Sequence, residues 1–74
     1  MLPDVQNVSD RASFLAFMAA FNADLRENAA GWENSDLPRF LEAMLAWATD
    51  SKFELSPNPW RHAASLLMAA RIYE

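Results

Sequence analysis

The chain has 74 residues, 53% of them hydrophobic and 22% charged, with ten acidic against six basic residues and a formal net charge of −4. That is one small domain near the lower limit for a lone apolar core, too short for a cofactor-binding α/β fold or a barrel and too apolar for disorder. Cysteine is absent, so disulfides and thiolate metal sites are excluded, and a single histidine, His62, leaves any zinc site leaning on carboxylates.

Residues 1–8 read as an extended lead-in. Ser9 or Asp10 can then cap a first helix over about 10–27. Projected at about 100° per residue, Phe14, Phe17, Met18, Phe21 and Leu25 fall on one stripe, with Leu15 at its edge. Asn28 and Gly31 end it, with Gly31 suited to a positive φ. Asp36-Leu37-Pro38 starts a second helix over 36–50, since proline is tolerated within the first turn. Leu37, Phe40, Leu41, Met44, Leu45, Trp47 and Ala48 share an arc of roughly 160°, which is expected to face the core. Arg39, Glu42, Ala46 and Asp50 lie opposite. Asn58-Pro59 is a strong start signal for a third helix over 59–73. It bears two apolar stripes: Trp60, Ala63, Ala64, Leu67 and Ala70 on one, and Leu66, Ala69 and Tyr73 on the other.

Fourteen alanines and only four β-branched residues (Val5, Val8, Thr49 and Ile72) favour helix and starve a sheet. The fold expected is all-α: a small antiparallel three-helix bundle forming a single domain over 1–74. The six basic residues are spread along the chain with acids between most of them, which disfavours nucleic-acid binding. No basic amphipathic stretch suits a membrane surface, and no apolar run is long enough to span one. The sequence starts without the basic and apolar pattern of a secretory signal, so a cytoplasmic location is expected.

Trp32-Glu33-Asn34, then Phe40-Leu41-Glu42-Ala43, Ala46-Trp47 and Asp50, followed by Pro59-Trp60, Leu66-Leu67, Ala69-Ala70 and Ile72-Tyr73-Glu74, form a recognisable series. The pattern resembles a bacterial family catalogued as domain of unknown function 7660, over about 14–74. The resemblance implies a small helical protein and carries no known activity. The chain departs from that family in its short connection at 51–57, where members usually have a longer aromatic, glycine-containing stretch. It also has Ala29-Ala30 where a proline often follows the first helix.

Catalysis needs a nucleophile with a base, paired carboxylates or a metal with several ligands. His62 sits in a first helical turn, where the helix dipole disfavours a charged imidazole, but no partner for it is predictable. Glu33, Asp36 and Asp50 lack calcium-loop spacing. No catalytic, cofactor-binding or metal site is therefore expected. Trp32, Glu33 and Asn34 have two readings: a structural corner, or an exposed one read by another protein. His62, Leu66 and Tyr73 mark the second stripe of the third helix, which is either core or a strip that binds a partner helix or second copy. The function expected is a non-enzymatic interaction module with an unidentified protein partner, in which homodimerisation is one form. The alternative is an acidic inhibitor or immunity-type protein that masks the basic surface of a toxin or enzyme.

Overall fold

Side-chain caps set the start of every long helix in the computed structural model, which describes residues 2–50 and 57–73. Asp10 opens α1 (Arg11–Asn28) with a capping box. Its carboxylate accepts from the Ser13 amide at 2.8 Å, and the Ser13 hydroxyl oxygen accepts from the Asp10 amide at 3.0 Å. Asp36 opens α2 (Leu37–Asp50) by accepting from the Arg39 amide at 2.9 Å, with Pro38 in the first turn. Asn58 opens α3 (Pro59–Ile72), its side-chain oxygen accepting from the amides of Trp60 and Arg61. The three spans match the expected ones to within one residue at each boundary.

Two stretches depart from expectation. The lead-in is not extended throughout: Val5–Asn7 makes a 3-10 turn capped by the Asp4 carboxylate, and Val8 is buried. Gly31 does not take a positive φ, because α1 runs on into a second 3-10 turn, Ala29–Gly31, and the chain leaves through an extended Trp32. The short connection at 51–57 lies, apart from Pro57, outside the described residues.

The helices pack as a three-helix bundle, and the described residues contain no strand. α3 is the middle element: it touches α1, the Val5–Asn7 turn and, most extensively, α2. Its start is tied to the lead-in, where the Asn58 side-chain amide donates to the Ser9 carbonyl at 2.8 Å and Arg61 Nε donates to the Val8 carbonyl at 3.0 Å. Its end is tied to the lead into α2. The Asn34 side-chain amide donates to the carbonyls of Ala70 and Tyr73, and the Asn34 backbone amide donates to that of Arg71. Those carbonyls belong to a helix end that has no intrahelical donors left for them.

The core is built on aromatic rings. Trp60, Phe14, Phe17, Phe21 and Trp32 form a continuous series with centroids 4.7 to 6.1 Å apart, and Phe40 of α2 closes on both Phe21 and Trp32. Val8, Phe17, Phe21, Trp32 and Ala64 are its buried centre. The expected stripe of α1 is thus the core face, and Leu15 at its edge is exposed.

The buried side of α2 differs from the one expected. Ala43 is its buried residue, Phe40, Met44, Ala46 and Trp47 are half-buried, and Leu37, Leu41 and Leu45 are exposed. The helix is turned by roughly 90° from an orientation that centres its apolar arc on the core. The side that is buried carries the small Ala43, and α2 meets α3 more extensively than any other pair of elements; a small side chain lets two helix backbones approach closely. Truncating Phe21 to alanine is expected to cost about 3–5 kcal/mol, whereas Leu15→Ala should stay within about 0.5 kcal/mol. Thermal unfolding followed by circular dichroism distinguishes the two.

Candidate interaction surface

Leu37, Leu41 and Leu45 recur every four residues and so form one ridge along the outside of α2, with exposures of 68%, 52% and 69%. The exposed Ala48 extends the ridge by a turn. At its amino-terminal end Leu37 also lines a cleft of about 250 Å³ between α1 and the start of α2. The cleft walls are mostly apolar, from Phe21, Leu25, Trp32, Phe40 and Leu67, with Asn22, Asn34, Ser35 and Asp36 also lining it. Away from the ridge, Glu33, Arg39 and Glu42 line a depression beside Tyr73, and Asp50 accepts from the Tyr73 hydroxyl. Residues 33–50 hold Glu33, Asp36, Glu42 and Asp50 against Arg39 alone, a net −3 of the chain's −4. Arg39 is itself committed to Asp36 at 3.4 Å.

Behind the cleft lies a buried polar cluster. Trp32 is 6% exposed, and its indole N–H donates to the carboxylate of Asp24, also 6% exposed, at 2.7 Å. Asn28 donates to the other oxygen of that carboxylate at 3.1 Å. The indole bond holds the Asp24 carboxyl below its usual range; desolvation opposes it, and the Asn28 bond and the Arg71 charge add to the lowering. The Arg71 guanidinium lies 5.9 Å from the Trp32 ring centre and donates to the Gly31 carbonyl at 3.3 Å. Its Nε is buried without a hydrogen-bond partner among the described residues.

The residues singled out from the sequence fall in different places. Trp32 is core and not an exposed corner, because its ring completes the aromatic series and its polar atom is satisfied inside. Asn34 bonds the end of α3 and not its own turn. Glu33 is exposed beside it. His62 and Leu66 are half-buried on α3, and His62 lines neither the cleft at Leu37 nor the two shallower depressions at Tyr73 and at Val8. Tyr73 is half-buried, and its hydroxyl donates to Asp50 at 2.6 Å. That bond, reinforced by desolvation and the Asp50 charge, pushes the phenol pKa up.

Among the described residues no three histidine or carboxylate side chains converge as metal ligands do. No helix among them is long and apolar enough to cross a membrane. Residues 10–74 match the model of a family of unknown function, DUF7660. The chain belongs to that family. No curated protein and no solved structure matches it.

Two features of this DUF7660 chain escaped the sequence reading. Asp24 has a visible signal, since it continues the Phe17–Phe21 stripe at the helical interval, which points a carboxylate inward. The leucine ridge has a weaker one, in the alanines beside it that offer α2 a different face for packing.

The pH dependence of stability follows from these contacts. Asp24 binds its proton less readily when folded. Its contribution is therefore fully present above the unfolded carboxyl pKa of about 3.9, and is lost as pH falls through the lower folded value. Asp24→Asn should lower the melting temperature at neutral pH, with the gap to the parent closing in acid. Tyr73 has the opposite sign: its contribution is present below about pH 10 and lost as pH rises through the raised folded value. Tyr73→Phe should flatten the alkaline limb of the same melting curve.

Proposed function

We propose that the chain is a non-enzymatic interaction module whose working surface is the Leu37–Leu41–Leu45 ridge. The observation that supports it is the exposure of three successive leucines on the most clearly amphipathic helix of so small a core. A continuous exposed apolar strip is the usual mark of a contact surface. These three side chains stay more than half exposed in the fold. Self-association through the ridge is one form of this reading.

A second reading draws on the charge bias of residues 33–50: an acidic inhibitor or immunity-type protein that masks a basic surface. It differs in what carries the binding. An apolar contact is lost with the leucines, and a charge mask is lost with Glu33 and Glu42.

The double variant Leu41→Ser, Leu45→Ser should melt within about 0.5 kcal/mol of the parent, as exposed substitutions do. It should fail to retain the protein that the parent retains from an extract of its host. Retention unchanged in this variant but lost in Glu33→Gln, Glu42→Gln favours the charge mask; retention unchanged in both removes α2 as the working surface.

A further inference from the structure

Residues 2–9 are laid onto the helices and keep their backbone bonds to themselves. The Asn7 and Val8 amides donate to the Asp4 and Val5 carbonyls, and the Gln6 amide donates to the Asp4 carboxylate. To the helices this segment presents one buried side chain, Val8, with Leu2 and Val5 packed half-buried against the core. To α3 it also presents two carbonyls: Arg61 Nε donates to that of Val8, and the Asn58 side-chain amide to that of Ser9. We infer that the lead-in is an intrachain ligand. α1 and α3 form a seat for a short peptide with an aliphatic anchor, and the lead-in leaves and re-enters that seat while the three helices stay packed.

Three observations separate this segment from the body beneath it. The rings that join the helices to one another all lie within residues 14–60, so that cohesion does not run through the lead-in. The match to the family model starts at residue 10, the cap of α1, and leaves the lead-in outside the shared pattern. The Val5–Asn7 turn rests on α3, and a depression of about 270 Å³ remains between Pro3, Asn7 and Val8 and the Ser13, Ala16 and Phe17 side of α1. A hinge is in place as well, because the Ser9 and Asp10 amides both donate to the Ser13 hydroxyl and pin the chain to α1 where the lead-in ends.

The chemistry of the seat defines what it takes. Arg61 and Asn58 bond backbone carbonyls, which every peptide carries, so selection falls to the side chain at the Val8 position. Val8 shares the buried centre of the core with Phe17 of α1 and Ala64 of α3, a place for a compact aliphatic group and a costly one for a charge. A segment anchored by so few buried groups opens at a smaller cost than the whole molecule. Tethering gives it a high effective concentration, which keeps the seat filled by the chain's own lead-in at rest. The seat is separate from the leucine ridge of α2 and does not depend on it.

The chain lacks cysteine, so one introduced thiol reports on its own position. Val8→Cys should react with a thiol reagent at least about tenfold faster than Ala64→Cys, or than Ala70→Cys as a second fully buried reference. Equal rates at Val8 and at both references mean that the lead-in opens only when the whole molecule does, and overturn the inference. Val8→Asp in the full chain unseats the lead-in and should keep the helical circular dichroism spectrum. Isotope-labelled, this variant should bind a synthetic peptide of residues 2–9, with shifts at the amides of Phe17, Arg61 and Ala64. The same peptide carrying Val8→Asp should bind at least about tenfold more weakly. Loss of the helical spectrum in the Val8→Asp chain, absence of binding, or equal binding of the two peptides overturns the seat.

Discussion

The structure depends on how one indole is buried. A tryptophan drawn into a core this small brings a polar N–H with it, and an unmatched donor there is costly. Asp24 supplies the acceptor from α1, eight residues earlier, and its charge is answered in turn by Asn28 and by the nearby Arg71. The bond fixes the ring as a platform. Phe21 of α1, Phe40 of α2 and Arg71 of α3 all meet it, so the three helices are oriented by contact with one side chain. A carboxylate at this depth is tolerated because its partners are held in place by the helices it helps to join.

The helix boundaries were legible because they are written locally. Asp10 with Ser13, Asp36 before Pro38 and Asn58 before Pro59 each place a cap within four residues of the amides it serves. What depends on distant residues was not legible. Asn34 reads as a turn residue, yet its partners lie at Ala70 and Tyr73. The face of α2 was ambiguous for another reason. A periodic pattern locates an apolar arc, but which part of a broad arc is buried depends on how closely the neighbouring helix can approach. In the structure the buried side is the one that carries Ala43. Of the two readings open for these residues, Trp32 takes the interior one, and Asn34 and Tyr73 bond groups of the fold itself.

The same rotation links the core to the function proposed. Turning α2 toward its alanines gives a tight α2–α3 contact and, by the same motion, moves three leucines outward. A fold that needed those leucines for its own cohesion would have buried them. Here the aromatic series supplies the cohesion, and the apolar face of α2 is left over from packing. The acidic residues along that helix have little basic charge of their own segment to answer them.

The central helix is held at both ends by side chains from remote parts of the chain. Asn58 and Arg61 grip the carbonyls of Ser9 and Val8 at one end, and Asn34 grips those of Ala70 and Tyr73 at the other. α3 consequently cannot fray from either tip without undoing contacts to the lead-in or to the approach of α2, which makes its loss a whole-molecule event. The outer leucines of α2 belong to no such clasp. They are free to change rotamer and adapt to whatever lies against them while the interior stays locked, so adaptability and rigidity sit on opposite sides of one helix.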